Sequence, residues 1–263
     1  MHLRSLLFVP GARPDRFDKA AAAGADAIVM DLEDAVAPTD KASARENIRH
    51  WLTPERRAVI RINAADTEWF SDDLSLAALP GVVAVMLPKA ERVEDIVTVM
   101  QAGAARLLPL IETAAGLAAA MQIASAPGVQ CLAFGSIDFQ VDLGMREATE
   151  DDLIVFRSQL ILASRLAGIA APIDGVTTSI DDTERLRIDV ARARRLGFGG
   201  KLCIHPRQVA EVHRGFAPDA AAVVWARRVV AAAADGAVVT VDGKMVDKPV
   251  LLRAEAILRE AQL

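Results

Sequence analysis

The strongest constraint on this chain is a repeated alternation. Eight short apolar runs, at residues 5–9, 27–30, 58–62, 82–87, 106–111, 130–134, 171–173 and 201–204, are each followed by an amphipathic segment. The runs are leucine-rich or β-branched and lack clean apolar–polar alternation. That predicts strands buried on both faces, as in a parallel sheet. The intervening spacing predicts helices at 14–23, 41–52, 71–79, 93–101, 116–125, 150–167, 183–196 and 207–216. Pro14 suits a first helical position, Asp182 a helix start, and Gly197 a helix stop after the basic turn of Arg192, Arg194 and Arg195. Eight such units predict an α/β fold of the (β/α)8 TIM-barrel type. A doubly wound open sheet is the competitor, but no second domain-sized shift in composition accompanies the eight units. The expected division is a barrel over 1–216 and a helical, turn-rich C-terminal extension over 217–263. That extension would pack on the barrel or on a neighbouring subunit. Within it, residues 235–249 read as a mobile stretch rich in turn formers.

Composition removes several function classes. There is no tyrosine among 263 residues, so no tyrosyl acid, base or nucleophile is available, and aromatic residues are only 4%. Few stacking platforms and a net charge of -5 without a basic block argue against nucleic acid or an anionic membrane as partner. No apolar run approaches the roughly 20 residues of a membrane span. The opening run 5–9 is too short for a signal peptide. Cys131 and Cys203 lie in apolar stretches without metal-type spacing, which predicts buried reduced thiols and a cytoplasmic protein.

In a barrel of this type, chemistry sits at the C-terminal ends of the strands. Seven of the eight expected ends carry charged groups. Strand two runs into Asp31, Glu33 and Asp34, strand three into Arg61, and strand four into Lys89 and Glu91. Strand five runs into Glu112, strand six into Asp138, strand seven into Asp174 and strand eight into His205. Glu112 and Asp138, from adjacent strands, repel unless a cation joins them or one keeps its proton. An oxygen-only pair suits Mg²⁺, and a metal-free acid/base pair is the alternative. Arg61 could stabilise a developing enolate or carboxylate, or pair with Glu33 or Asp34, and both roles can coexist. Asp31, Glu33 and Asp34 are expected to orient Arg61 and metal-bound water. Lys89 could form a Schiff base if desolvated, although its acidic neighbours favour a paired, charged lysine. His205 is a candidate substrate contact. Gly197-Phe198-Gly199-Gly200-Lys201 lacks the Walker pattern and reads as a tight helix-to-strand turn.

These residues, in this order, resemble the citrate lyase β-subunit-like family of the HpcH/HpaI aldolase group. The matching segments include Phe8-Val9-Pro10-Gly11 with Arg13-Pro14, Met30-Asp31-Leu32-Glu33-Asp34 and Arg61-Ile62-Asn63. Leu87-Pro88-Lys89-Ala90-Glu91, Ile111-Glu112-Thr113, Gly135-Ser136-Ile137-Asp138, Ile204-His205-Pro206 and Val246-Asp247-Lys248-Pro249 continue the series. The resemblance implies a Mg²⁺-dependent barrel that cleaves a 3-hydroxyacyl-CoA thioester to acetyl-CoA and a 2-oxo acid. It implies Glu112 and Asp138 as metal ligands and Arg61 as support for the enolate oxygen. It implies Asp247 as an acid/base reaching a neighbouring subunit, and Phe8, Arg13 and Lys19 at an acyl-CoA entrance. It also implies a homo-oligomer, typically a trimer. Condensation followed by thioester hydrolysis, and a non-catalytic CoA-binding subunit, are the competing functions. Phe8 stands where relatives often carry tyrosine, and the chain is shorter than dedicated citrate lyase β subunits tend to be.

Overall fold

The computed structural model describes residues 3–233 and 239–261. Eight parallel strands close into a barrel in sequence order. They are β1 (Ser5–Pro10), β2 (Ala27–Asp31), β3 (Ala58–Arg61), β4 (Val82–Leu87), β5 (Leu107–Ile111), β6 (Ala133–Phe134), β7 (Ile173–Asp174) and β8 (Gly200–Cys203). β1 closes the ring by pairing Leu7 with Cys203 of β8. Every residue of β2, β3 and β5 is buried, which is why these strands carry no alternation. Both free cysteines are buried, and burial pushes each thiol up to about 12. The closed barrel, and not the open sheet, is the architecture.

The expected strand–helix order holds, with helices Val93–Gln101 and Thr183–Leu196 at the expected bounds. Asp182 caps the second of these by accepting from the Arg185 backbone N–H at 2.9 Å. Gly197 ends it in the left-handed conformation at φ 109°. The glycine run is therefore a helix stop leading into β8. Lys201 within it is buried, donates to the Gly175 carbonyl at 2.6 Å and lies 3.8 Å from Asp174 Oδ2.

Two differences bear on function. β6 and β7 are only two residues long. After β6 the chain passes at once into a helix, Ser136–Asp142, that the apolar pattern did not suggest. Asp138 consequently stands in the first turn of a helix and not on a strand end. Asp174 is spent elsewhere: its carboxylate, fully buried, accepts from Arg157 Nε at 2.8 Å.

Contacts divide the chain into a barrel unit, Leu3–His213, and a C-terminal unit beginning at Arg214. The second contains helix Ala220–Ala232, the antiparallel hairpin of β9 (Val239–Val241) and β10 (Lys244–Val246), and helix Lys248–Glu260. Thus much of the stretch expected to be mobile is a hairpin turning at Asp242 and Gly243, both with positive φ. Residues 234–238 lie outside the described ones. Among the described residues, no helix is long and apolar enough to cross a membrane.

Candidate active site

The C-terminal ends of the strands surround a cavity of about 930 Å³. Asp31, the last residue of β2, pairs in register with Arg61, the last residue of β3. This register brings the two side chains together as a fork. Arg61 Nε donates to Asp31 Oδ1 and Nη2 to Asp31 Oδ2, both at 2.7 Å. Its Nη1 lies 2.8 Å from Glu33 Oε2 and donates to Asp34 Oδ2 at 3.2 Å. Three hydrogen bonds thus join the guanidinium to Asp31 and Asp34, Glu33 adds an ion pair, and the second Nη2–H is left free of these carboxylates. Burial works against the Arg61 charge, but Asp31, Glu33 and Asp34 outweigh it and hold the guanidinium cationic far above any working pH. The Phe8 ring lies 4.9 Å from the guanidinium carbon.

The loop after β2 is fixed from below. Buried Lys41 donates to the Leu32 and Glu33 carbonyls at 2.6 and 2.7 Å. Nothing in the sequence marks this lysine, which opens helix Lys41–Trp51 like any surface charge. Asp31 adds a turn of its own by accepting from the Glu33 N–H at 3.0 Å.

Lys89 links the two sides of the mouth. Its Nζ donates to Glu33 Oε1 at 2.8 Å, and its backbone N–H donates to Glu112 Oε1 at 2.8 Å. The backbone reaches Glu112 from a left-handed φ of 45°, a conformation costing a non-glycine residue about 1–3 kcal/mol. Burial opposes the Lys89 charge, yet the bond to Glu33 carries its pKa above the ordinary lysine value. A lysine held as a paired ammonium is a poor nucleophile, which argues against the Schiff-base reading.

Glu112 is 2% exposed and lines the cavity with Asp138. Burial pushes its carboxyl up to about 8, and the nearby charges of Glu33 and Asp138 add to the effect. The ion pairs at this mouth join Arg61 and Lys89 to Asp31, Glu33 and Asp34, and include neither Glu112 nor Asp138. A desolvated carboxylate lining the cavity with a second one, neither in an ion pair among the described residues, is a donor set that fits Mg²⁺ completed by substrate or water oxygens. Among the described residues there is no group of three or more His, Cys, Asp or Glu that could hold a metal. The fit to a hard divalent ion rests on the oxygen donors of Glu112 and Asp138 alone.

Gly135 belongs to this site as well. A Cβ there would overlap the Glu112 Cβ and Oε2. Gly135→Ala is expected to displace Glu112 and weaken Mg²⁺ stimulation of turnover at least about tenfold, because metal-site geometry tolerates little displacement. A Mg²⁺ titration of initial rates would check this, and an unchanged titration would contradict it.

Of the other expected site residues, Phe8, Lys19, Asp34 and His205 line the cavity. Arg13 does not; it forms a surface pair with Asp15 at 2.8 Å. Arg16 and Arg207 line the cavity instead. Local basicity signalled Arg16, but nothing signalled Arg207. Asp247 lies in the C-terminal unit and caps helix Lys248–Glu260, accepting from the Val250 N–H at 3.2 Å.

Known proteins resemble this chain over nearly its whole length. The family model described as HpcH/HpaI aldolase/citrate lyase matches residues 4–206. A citrate lyase subunit beta-like protein of Deinococcus radiodurans is 38% identical over 275 residues, spanning 97% of this chain and 96% of its own. An L-malyl-CoA/beta-methylmalyl-CoA lyase of Cereibacter sphaeroides is 34% identical, spanning 99% of this chain and 95% of its own. The crystal structure of the protein CitE from Mycobacterium tuberculosis in complex with magnesium, acetoacetate and coenzyme A superposes with a TM-score of 0.88 at 37% identity. It covers 100% of this chain and 99% of its own. With barrel, ordered motifs and near-complete overlap in agreement, this chain belongs to the HpcH/HpaI aldolase/citrate lyase family.

Proposed function

We propose that the chain is a Mg²⁺-dependent carbon–carbon lyase acting on a 3-hydroxyacyl-CoA thioester of the citramalyl-, malyl- or citryl-CoA type. The observation that carries this reading is the meeting, in one cavity, of a braced cationic Arg61 with two carboxylates, Glu112 and Asp138, that form no ion pair among the described residues. Crystallised relatives with magnesium and coenzyme A, and a malyl-CoA lyase among the homologues, support it.

Cleavage turns the 3-hydroxyl carbon into the oxo carbon of a 2-oxo acid. The hydroxyl loses its proton, the C–C electron pair moves to the thioester α-carbon as an enolate, and a proton returned there completes acetyl-CoA. Bound Mg²⁺ would supply Lewis acidity toward the oxygens of the hydroxy or oxo acid. Glu112 and Asp138 would hold it. Arg61 cannot lose its charge, and its free Nη2–H is available to the thioester oxygen as negative charge gathers there. Asp31, Glu33 and Asp34 keep the guanidinium from turning away. Phe8, Lys19, Arg16 and His205 form the wall along which the CoA portion would enter.

Asp247 would move the proton at the α-carbon, delivered to the active site of a neighbouring subunit in a homotrimer. In this reading residues 217–263 serve as an extension that completes a neighbour's site, and the protein works in the cytoplasm. Asp247→Asn is expected to lower turnover while CoA-ester binding persists. Mixed oligomers of Asp247→Asn and Arg61→Lys chains should be more active than either homogeneous oligomer. No gain on mixing would remove the cross-subunit role.

Incubation with Mg²⁺ and a panel of 3-hydroxyacyl-CoA thioesters, with product identification, tests the function as a whole. Acetyl-CoA and a 2-oxo acid in equal amounts are expected. Release of free CoA with an intact hydroxy acid would instead indicate thioester hydrolysis, and no turnover across the panel would refute the lyase.

A further inference from the structure

The loops that follow β7 and β8 are locked together by one buried amide. Gln208, 2% exposed, lies in the first turn of helix Pro206–Phe216. Its Oε1 accepts from the backbone N–H groups of Ile204 and His205 at 2.9 and 3.3 Å. Its Nε2 donates to the Thr177 carbonyl at 2.8 Å. Thr177 is held in turn, its Oγ1 donating to buried Asp189 of helix Thr183–Leu196 at 2.7 Å. A primary amide can accept two bonds and donate another at once. A carboxylate would face the Thr177 carbonyl acceptor to acceptor, and an apolar side chain would leave three backbone groups without these partners.

The segment so held carries His205, which lines the cavity with Val176, Ile204 and Arg207. The His205 ring is fixed as well, because its Nδ1 accepts from the Arg207 backbone N–H at 3.2 Å. A neutral imidazole that accepts at Nδ1 carries its proton on Nε2. Among the described residues Nε2 has no partner, so it is the donor that His205 offers to a ligand. His205 and Gln208 thus cap the helix reciprocally, in places where Ser or Thr and Glu or Gln usually stand. A hydroxyl would suffice for the cap; the imidazole extends beyond it with a second polar atom. Gln208 itself does not line the cavity.

We propose that Gln208 is a positioning residue for the CoA portion of the substrate. By joining the β8 loop to the β7 loop, it sets the His205 ring so that Nε2–H meets an acceptor oxygen of that portion. This rests on the CoA-ester reading of the cavity and adds to it a residue that acts only through another.

A double-mutant cycle with His205 separates positioning from plain stability. Calorimetric titration of the Mg²⁺-loaded protein with acetyl-CoA is the readout, so no turnover is needed. Gln208→Met is expected to weaken acetyl-CoA binding about three- to tenfold, the scale of one hydrogen bond. In a His205→Ala background the same change should weaken it less than about twofold, because the group being positioned is gone. Thermal stabilisation by Mg²⁺, assigned to Glu112 and Asp138, should persist in both. Should the methionine variant not fold, Gln208→Glu keeps an acceptor for the two amides and loses only the Thr177 bond. It is expected to weaken binding at least about threefold, again only where His205 is present. Equal losses in the two backgrounds, unchanged affinity in the folded variant, or loss of the Mg²⁺ response along with acetyl-CoA binding would each overturn the proposal. Native protein that binds no acetyl-CoA would refute the CoA-ester reading and the proposal with it, an outcome distinct from those three.

Discussion

Glu112→Gln should abolish both Mg²⁺-dependent turnover and the stabilisation that Mg²⁺ confers, and should do so with a characteristic pH dependence. The native carboxyl is pushed up to about 8 from an ordinary value of 4.5. Between those values the native state holds a proton that the unfolded chain has released. Metal-free stability therefore falls as pH rises through this window. Mg²⁺ displaces that proton, so its stabilising effect grows with pH and is larger at pH 8.5 than at pH 6. In the glutamine variant, with no charge to desolvate, the metal-free decline is shallower and the Mg²⁺ response disappears. Thermal unfolding at several pH values, with and without Mg²⁺, reads both effects. Turnover should fall at least about 100-fold, the scale of removing one electrostatic contributor. A variant with the wild-type Mg²⁺ response would remove Glu112 from the metal site.

Arg61 is expected to show the other large effect, on stability and rate together. Arg61→Ala leaves Asp31, fully buried, without its ion-pair partner, and Glu33, nearly so, with Lys89 alone. Breaking a buried pair of this kind costs about 3–5 kcal/mol. Arg61→Lys keeps the charge but cannot bond Asp31 through two parallel N–H groups while reaching Glu33 and Asp34. The lysine variant should fold and still lose about 100- to 1000-fold in kcat, the scale of a lost oxyanion donor. Urea unfolding of the alanine variant and steady-state rates of the lysine variant would check the two parts. A lysine variant with near-normal kcat would reduce Arg61 to a structural ion pair.

Much of this architecture was legible because burial on both faces of a parallel strand leaves a mark in composition. β2, β3 and β5 are apolar throughout, and the charges that follow them stand where the hydrocarbon ends. Asp31, Arg61 and Glu112 were accordingly visible as strand-end residues. Helix Ser136–Asp142 was hidden, because β6 and β7 are too short to frame it and its seven residues carry little pattern. The functions of Lys41 and Gly135 were hidden for another reason. Each acts on a partner distant in sequence, a loop carbonyl in one case and Glu112 in the other, and such contacts appear only when the barrel closes. The replacement of Arg13 by Arg16 along the cavity wall is of the same kind. A run of basic residues indicates a region, while local geometry decides that Arg13 turns to Asp15.

The central claim is that Glu112 and Asp138 together hold a divalent ion at the barrel mouth. Manganese in place of magnesium tests it most directly, through anomalous scattering from crystals grown with Mn²⁺ and pyruvate. The account predicts one anomalous peak bridged by Glu112 and Asp138, absent in Glu112→Gln crystals under the same conditions. A peak elsewhere in the barrel, or none at saturating Mn²⁺, would contradict it.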